Sequence, residues 1–277
     1  MPELPEVETV ARTLSPLVCG RRIVSSLLLN PGTLSGSEPL SVLDGREIVS
    51  VSRRGKLVLI GLAPEKRKAE GVAVHLKMTG RLFVYPHAHE PEAHTRALFD
   101  LSDGNRLFFD DARKFGYLRI MTPESLASWP FWQKLGPEPL EIAGDEFVAR
   151  LGARGGMIKA VLLDQSVIAG VGNIYADESL FRAGIAPARR ASTLSGARLL
   201  RLHAALREVL LEAIDACGSS IRDYRTARGD AGAFQNAFRV YGRGGGSCVN
   251  CGTTLLTGRV AGRGTTWCPR CQPAGGR

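Results

Sequence analysis

The chain has 277 residues, of which 44% are hydrophobic, and a formal net charge of +9. This length allows two domains, and the apolar fraction is typical of a globular protein and excludes a largely disordered chain. No run of residues approaches the roughly 18 apolar residues that a membrane-spanning helix needs. The first residues, Met-Pro-Glu-Leu-Pro-Glu, are acidic and rich in proline. We therefore expect no secretory signal, no membrane attachment and a cytoplasmic location.

Basic residues are concentrated towards the C-terminal end of the chain. Residues 219–277 contain nine Arg and no Lys against two Asp, a net charge of +7, whereas the preceding 218 residues contribute +2. Such a local positive field favours a polyanionic partner, and the guanidinium group suits bidentate contacts with phosphate. The alternative at this point is a solvated basic face without a partner.

The first part of the chain combines a helix with short strands. Apolar residues recur at helical spacing from Val7 to Val18, which predicts an N-terminal helix that ends near Gly20. From about residue 21 to 122, β-rich runs alternate with turns that carry Gly, Asp and Asn: 23–29, 48–51, 57–62, 72–76, 81–85, 97–101, 106–109 and 117–121. Eight short strands at this spacing predict a sandwich or a barrel.

The second part of the chain is predicted to be helical. Residues 123–145 are rich in Pro, Trp and Gly, which is typical of a boundary, and helical periodicity follows at 146–151, 157–163, 173–183 and 194–216. The polar stretch 218–232 predicts a long loop. We therefore predict an α+β protein with four parts: an N-terminal helix and β-sandwich domain (1–130), a hinge (131–145), a helical domain that includes the loop (146–240), and a zinc module (241–277).

Four of the six cysteines form two closely spaced pairs separated by sixteen residues: Cys248 and Cys251, then Cys268 and Cys271. Two such pairs can surround one tetrahedral ion, and four sulfur ligands leave no open position, so we predict one structural Zn²⁺. The alternative is a pair of disulfides, which a reducing cytosol disfavours. The other two, Cys19 and Cys217, are predicted to be buried small residues.

The hairpin between the two cysteine pairs contains Arg259 and Arg263 among glycines, which permit close approach of a backbone. Metal binding would fold a segment that is too short to fold alone. This pattern favours a rigid loop that presents Arg to phosphate. For either Arg taken alone, an ordinary exposed hairpin residue is the simpler interpretation.

The residues after Met1 have the composition of an amine nucleophile with a neighbouring acid. If Met1 is removed, Pro2 carries a free secondary amine, and an α-amino pKa of about 7.7–8 leaves part of it unprotonated at neutral pH. Such an amine attacks a sugar aldehyde carbon to give an iminium ion. Glu3 is placed to move protons at the sugar ring oxygen, with Glu6 one helical turn further. The alternative is an incidental start whose glutamates favour the helix N-terminus.

Three segments together resemble the formamidopyrimidine-DNA glycosylase family. Residues 1–8 (MPELPEVE) resemble the start of that family, and residues 164–178 (DQSVIAGVGNIYADE) resemble its helix-two-turns-helix signature. The four-cysteine ribbon with 262–265 (GRGT) is similar to its zinc finger. The resemblance implies a β-sandwich domain, a hinge, and a helical domain with a zinc finger. It also implies a monomer that binds, in a cleft between the domains, double-stranded DNA containing oxidised bases or abasic sites.

The same resemblance implies excision of 8-oxoguanine and formamidopyrimidines followed by β,δ-elimination. It assigns Pro2 as the nucleophile, Glu3 as the acid/base group, Lys56 as a lysine near the lesion phosphates, and Glu6 as a supporting residue. The expected phosphate ligands are His75, Asn173, Arg222, Arg263 and, with a weaker match, Tyr241. The residues expected to fill the void left by a flipped nucleotide are Met78, Arg113 and Phe115. The loop expected to close over the everted purine contains Ser219, Ser220 and Tyr224.

Each of these residues also has a structural interpretation. Met78 and Phe115 could be core residues, and His75 could be a satisfied structural histidine. Arg113 could pair with the aspartates beside it, and Asn173 could cap a helix. The chain also departs from the family pattern, since Lys77 stands where the family often has Gly.

Two other functions remain open on sequence grounds. The related endonuclease VIII class prefers oxidised pyrimidines and shares Pro2, Glu3 and the zinc finger, but tends to have Gly where this chain has Leu4. A non-catalytic zinc-ribbon DNA-binding protein would need the basic C-terminal segment but not a free Pro2 beside Glu3.

Overall fold

The computed structural model describes residues 1–65, 69–221 and 224–274. The chain divides into two compact units: the first comprises Met1–Gln133 and Ala216–Ala233, and the second comprises Lys134–Asp215 and Phe234–Arg277. Among the helices of the described residues, none is both long and apolar enough to span a bilayer.

The first unit contains one long helix and two antiparallel four-stranded sheets. Its helix is α1 (Leu4–Val18), followed by 3₁₀ turns at Pro31–Thr33 and Leu40–Leu43. The eight predicted strands are confirmed as β1 (Ile23–Leu28), β2 (Ile48–Arg54), β3 (Leu57–Leu62), β4 (Gly71–His75), β5 (Gly80–Pro86), β6 (Thr95–Leu101), β7 (Asn105–Asp111) and β8 (Tyr117–Met121). The strand orders are β1-β6-β7-β5 and β2-β3-β4-β8, so the predicted sandwich is present.

An apolar core joins α1 to both sheets of the first unit. It joins Leu14 of α1 to Ile23, Val58 and Phe99, which come from strands of both sheets. Period-two alternation in the strands and period-3.6 spacing in α1 direct these side chains to the same side. The polar candidate residues lie at the ends of strands. Burial of the apolar residues in the same strands thus fixes the position of these ends.

The segment 216–233 belongs to the first unit, whereas the predicted helical domain 146–240 contained it. The reason is packing: Ala227 is buried in the core of the first unit, and Tyr224 packs against it. The backbone N–H of Ala227 also donates to Oγ1 of Thr13 in α1 at 3.1 Å. Because this segment is polar, its few apolar residues gave no periodic signal of that attachment.

The predicted boundary 123–145 is partly helical. Two short helices, α2 (Pro123–Ala127) and α3 (Pro130–Gln133), precede the division between the units at residues 133 and 134. Thr122 caps α2, because its side chain accepts from the backbone N–H of Ser125 at 3.0 Å. The division therefore falls inside the predicted linker 131–145.

The second unit contains four helices and a two-stranded ribbon among its described residues. The helices are α4 (Gly144–Gly152), α5 (Ile158–Leu163), α6 (Asn173–Ala183) and α7 (Gly196–Asp215), and 3₁₀ turns lie at Ala191–Thr193 and Phe234–Ala237. The ribbon is formed by β9 (Leu256–Val260) and β10 (Arg263–Trp267). All four predicted helices are present, with ends that differ by at most two residues.

The two isolated cysteines differ from the prediction. Cys19 is half-buried and Cys217 is exposed, so the expectation that both are buried was wrong. Cys217 has a left-handed backbone with φ 58° and lies at the turn after α7. Because this turn leaves Cys217 exposed, its thiol does not contribute to the core.

Candidate functional site

The N-terminus of α1 forms a buried acidic site in the first unit. Pro2 is buried, and Glu3 and Glu6 are 3% and 2% exposed. Oε2 of Glu6 accepts from the backbone N–H of Glu3 at 2.8 Å, and Oε1 accepts from the backbone N–H of Ser219 at 2.8 Å. Glu6 therefore fixes the position of Glu3 and joins the start of α1 to the segment 216–233.

Lys56 and His75 lie side by side at one end of the sheet β2-β3-β4-β8. Lys56 directly precedes β3, whose first residue, Leu57, pairs in register with His75 at the end of β4. Both side chains are buried, with 6% and 5% exposed. Burial, together with charge repulsion from the nearby Lys77 and Lys56, lowers the pKa of His75 to about 3.

His75 is held by its own turn and by aromatic rings. The backbone N–H of Lys77 donates to Nδ1 of His75 at 3.1 Å. The imidazole ring lies 5.4 Å from the ring of Tyr117 and 6.1 Å from that of Phe131. Lys77 has φ 50°, a conformation that favours glycine, and its Nζ lies 5.5 Å from the centre of the Tyr117 ring.

The three residues expected to fill a void lie on two loops of the first unit. Met78 is in the turn between β4 and β5, while Arg113 and Phe115 are between β7 and β8. Met78 is 37% exposed and Phe115 is 53% exposed, so neither is a core residue. The guanidinium of Arg113 lies 4.7 Å from the centre of the Phe115 ring. The exposed side chains thus form an apolar and cationic surface.

Hydrogen bonds join the described parts of the loop 218–232 to one another and to Cys217. The hydroxyl of Ser220 donates to the carbonyl of Tyr224 at 3.0 Å and accepts from the backbone N–H of Gly232 at 2.9 Å. The hydroxyl of Tyr224 donates to the carbonyl of Cys217 at 3.2 Å. Burial, followed by the charge of Glu6, raises the pKa of Tyr224. Arg222, predicted to contact phosphate, lies outside the described residues.

Asn173 and Arg263 are brought together by the second unit. Asn173 is the first residue of α6, after Gly172 at the N-cap position, so its side chain is not the helix cap. Its Nδ2 donates instead to the carbonyl of Gly264 at 3.0 Å, next to the exposed Arg263 at the start of β10. The ribbon that carries Arg263 is therefore bonded to the beginning of α6.

A buried ion pair strengthens the same attachment. Nζ of Lys159 lies 2.7 Å from Oδ1 of Asp177, and both side chains are almost completely buried, with 0% and 1% exposed. The same ammonium donates to the carbonyl of Gly264 at 2.9 Å and to Oγ1 of Thr265 at 2.8 Å. Burial raises the pKa of Asp177 to about 6, against the opposite effect of Lys159.

Glu178 fixes the turn that contains Tyr241. Its Oε1 accepts from the backbone N–H groups of Val240 and Tyr241 at 3.0 and 2.8 Å, and Oε2 accepts from that of Arg239 at 3.0 Å. Glu178 is only 3% exposed. A buried carboxylate with three backbone donors holds a chain segment strongly. Glu178 therefore fixes the position of the Tyr241 backbone.

The four predicted zinc ligands converge in the second unit. Their Sγ atoms all lie within 4.8 Å of one another. Sγ of Cys251 lies 3.5 Å from that of Cys268, and Sγ of Cys248 lies 3.8 Å from that of Cys271. A tetrahedral zinc ion with bonds of about 2.3 Å separates its sulfurs by about 3.8 Å. The four thiols fit one structural Zn²⁺, and the cluster packs against Phe181 of α6.

The sequence did not identify four buried charged residues that organise these groups: Asp111, Lys159, Asp177 and Glu178. Asp177 and Glu178 lie in the segment that carries the family resemblance, which was a signal of importance but not of contact. Lys159 sits on a helix without any motif, and only its burial reveals it. Asp111 was considered as an ion partner of Arg113, but it accepts from the backbone of that residue instead.

Comparisons with known proteins agree over nearly the whole chain. Residues 1–118 match the formamidopyrimidine-DNA glycosylase N-terminal domain, residues 135–225 match its H2TH domain, and residues 245–274 match a zinc finger found in Fpg and IleRS. The chain is similar to the formamidopyrimidine-DNA glycosylase of Nitratidesulfovibrio vulgaris, with 47% identity over 98% of this chain and 100% of that protein. It is 46% identical to that of Desulfitobacterium hafniense, with the same coverage.

Solved structures give the same result. The MutM (Fpg) protein of Thermus thermophilus is 42% identical, with a TM-score of 0.87 over 99% of this chain and 100% of that one. The Lactococcus lactis Fpg, solved with DNA containing an abasic site, is 34% identical, with a TM-score of 0.89 over 98% of this chain and 99% of that one. This chain belongs to the formamidopyrimidine-DNA glycosylase family.

Proposed function

We propose that this protein is a bifunctional DNA glycosylase and AP lyase that excises oxidised purines from duplex DNA. The observation that carries the proposal is the buried Pro2 next to Glu3 at the start of α1, in a chain 47% identical to a formamidopyrimidine-DNA glycosylase. A Lactococcus lactis Fpg variant was solved with DNA containing Fapy-dG, and a MutM was solved with DNA containing carbocyclic 8-oxo-G. These lesions are the proposed substrates.

In the proposed reaction, the amine of Pro2 attacks C1′ of the damaged nucleotide. The N–C1′ bond forms as the bond from C1′ to the base breaks, and the departing base takes up the proton that the amine loses. Glu3 supplies a proton to the ring oxygen as the sugar opens. The resulting iminium ion makes the C2′–H acidic, so loss of that proton breaks the C3′–O bond and releases the 3′ phosphate. Loss of a second proton then breaks the C5′–O bond and releases the 5′ phosphate, which frees the sugar from the DNA. Pro2 can react only if Met1 is absent, because the nitrogen of a Met1–Pro2 peptide bond has no available lone pair.

Each unit supplies proposed contacts to the DNA backbone. In the first unit these are Lys56 and His75, whose side chains share one end of a sheet. In the second unit they are Asn173, Tyr241 and Arg263. Asn173 donates to the ribbon, the backbone N–H of Tyr241 donates to Glu178, and Arg263 pairs with Val260 in the ribbon. Arg222 is proposed as a further phosphate ligand. Ser219, Ser220 and Tyr224 are proposed to lie in the segment that recognises the everted purine.

The exposed trio of Met78, Arg113 and Phe115 is proposed to occupy the space that the flipped nucleotide vacates. Insertion into a DNA stack would remove the exposed apolar surface of Met78 and Phe115 from water, which is favourable. A pliable Met can fill a void, a Phe can wedge between base pairs, and an Arg can hydrogen-bond the orphaned base. The four cysteines hold one Zn²⁺, which supports the fold of the ribbon without taking part in the reaction. We propose a monomer that acts in the cytoplasm.

Borohydride trapping tests this function directly. The purified chain, with loss of Met1 verified by intact mass, is incubated with a duplex containing 8-oxoguanine opposite cytosine, and the iminium is reduced to a stable adduct. We expect a covalent complex, and Pro2→Gly should lose most of it while retaining DNA binding. Preference for a thymine-glycol duplex would instead indicate endonuclease VIII-like specificity. Absence of an adduct on any oxidised duplex would leave only a DNA-binding protein.

A further inference from the structure

Asp111 is a buried carboxylate that receives hydrogen bonds from two different loops. It ends β7 and is 1% exposed. Its Oδ1 accepts from the hydroxyl of Thr79, in the turn between β4 and β5. The same oxygen accepts from the backbone N–H of Arg113 at 3.2 Å, and Oδ2 accepts from that of Gly116 at 2.7 Å. Both loops are therefore anchored on one side chain.

Thr79 makes a second, direct link between these loops. Its Oγ1 accepts from the backbone N–H of Arg113 at 3.1 Å while its hydroxyl proton is donated to Asp111. Thr79 follows Met78, and the donors from the other loop flank Phe115. We call Thr79 and Asp111, with the hydrogen bonds that they make, the loop clamp. Each of the three exposed side chains belongs to a residue that takes part in these bonds or is adjacent to one that does.

Glycine is needed where the loops approach the clamp. A Cβ at Gly116 would lie 2.8 Å from the ring of Phe109 and 3.1 Å from Oδ2 of Asp111. A Cβ at Gly80 would lie 2.8 Å from Cα of Leu76. Such contacts are closer than a carbon atom tolerates, so the chain brings both loop ends into the clamp without side chains. The hydrogen bonds of Asp111 are therefore part of a tightly fitted arrangement.

We propose that the loop clamp is a positioning device that presents Met78, Arg113 and Phe115 as one preformed wedge. Two separate surface loops would each lose conformational freedom on entering a DNA stack, and that loss would oppose insertion. The clamp removes this cost in advance, because Thr79 and Asp111 join the loops before DNA is bound. This inference rests on the proposed function and assigns to two residues outside the catalytic pair a role in opening the stack.

Thr95 provides a matched control within the same unit. Its hydroxyl donates to Oδ1 of Asp110 at 2.7 Å, and its Oγ1 accepts from the backbone N–H of Glu92 at 3.0 Å. Thr95 thus has the same two types of bond as Thr79, but neither partner belongs to the loops that carry the wedge. Thr79→Val and Thr95→Val remove equivalent hydroxyl groups, so any general loss of stability affects both.

The experiment compares two substrates for wild-type protein, Thr79→Val, Thr79→Ser and Thr95→Val. One is a duplex with 8-oxoguanine paired to cytosine, where the wedge must enter a closed stack. The other has an abasic site inside an unpaired bubble, where the stack is already open. Single-turnover excision is measured on the first, borohydride trapping on the second, and thermal unfolding for each variant.

We expect Thr79→Val to lower duplex excision about tenfold or more while trapping on the bubble stays near the wild-type rate. Thr79→Ser, which retains the hydroxyl, should restore duplex excision, and Thr95→Val should change neither rate. Equal effects of Thr79→Val and Thr95→Val, or equal losses on both substrates, would overturn the clamp. If wild-type protein reacts with neither substrate, the proposed function itself is wrong. The proposed role of the loop clamp in the reaction is then wrong as well.

Discussion

The backbone N–H of Lys77 points at Nδ1 of His75, so the imidazole carries its remaining proton on Nε2. Because burial and two nearby lysines lower the pKa of His75 to about 3, this ring is neutral throughout the physiological range. A neutral Nε2–H is a directional donor to a phosphate oxygen and does not release a counterion. His75 is therefore expected to act differently from the arginines of the same protein.

This difference predicts a distinct dependence on salt. His75→Ala should weaken binding to a lesion-containing duplex without altering the slope of log K against log salt concentration. Arg263→Ala should reduce that slope by about 1, because it removes a charged contact with phosphate. Titration of labelled duplex at several salt concentrations measures both slopes. A reduced slope in His75→Ala would show that the ring is charged when bound.

The lowered pKa also predicts how His75 affects stability with pH. The pKa of a histidine in the unfolded chain is about 6.5, whereas the pKa of His75 in the native protein is about 3. Between these values the unfolded state binds the proton and the native state does not, so stability contributed at this position falls as pH decreases from 6.5 towards 3. Above 6.5 the residue has no such effect. The difference in unfolding free energy between wild-type and His75→Asn should shrink from pH 8 to pH 4.5, and a constant difference would contradict this origin.

Relief of strain at Lys77 is expected to stabilise the first unit. A lysine at φ 50° keeps its Cβ close to the following carbonyl, which costs about 1–2 kcal/mol relative to glycine. Lys77→Gly should raise the unfolding free energy by about 1 kcal/mol, after allowance for the more flexible unfolded chain. Lys77→Ala loses the same ammonium but keeps the Cβ, so it should show no gain. Equal stability of the two variants in chemical denaturation would exclude backbone strain as the cause.

Lys159 and Asp177 should show strong coupling in a double-mutant cycle. Lys159→Met leaves a buried carboxylate without its cation and should cost about 3–5 kcal/mol. Asp177→Asn removes the opposite charge but retains an acceptor for the backbone N–H of Thr266. The double variant should be much more stable than the sum of the single effects predicts. Calorimetry of thermal unfolding measures the stability of each variant in the cycle. Strictly additive effects would show that Lys159 and Asp177 are not energetically coupled.

Zinc content should depend on the clustered cysteines alone. Cys268→Ala should remove the one expected zinc ion per chain and expose the amides of β9 and β10 to hydrogen exchange. Cys19→Ala, which changes a cysteine outside the cluster, should retain full zinc content. Elemental analysis and exchange mass spectrometry give both readouts. Full zinc content in Cys268→Ala would require a different ligand set.

The sequence was most informative where local signals repeat. Turn residues at short intervals delimited all eight strands of the sandwich, and helical periodicity located α4 to α7. The pairing of β1 with β6, or of β4 with β8, depends on contacts between distant parts of the chain. No local pattern encodes such pairing, so only the sandwich, and not its strand order, could be predicted.

The candidate site shows the same limit. Pro2, Glu3 and the cysteines were identified because each chemistry needs a residue type at a fixed spacing. Asp111 accepts from the hydroxyl of Thr79 in another loop, and Glu178 accepts from backbone N–H groups of a distant turn. A carboxylate in the sequence does not reveal which donors it will accept from. The attachment of 216–233 to the first unit escaped prediction for the same reason, since it depends on a hydrogen bond from Ser219 to Glu6 and on the packing of Tyr224 and Ala227.

The discontinuous assembly of the first unit has a consequence for synthesis on the ribosome. Residues 1–133 emerge first, yet Tyr224 and Ala227, which complete their core, follow only after residues 134–215 have been translated. Part of the apolar surface of the nascent sheets therefore stays exposed while the intervening helices leave the exit tunnel. Chaperones protect a growing chain during such an interval. Truncation at Gln133 should yield a fragment that aggregates, although it contains every strand of the sandwich.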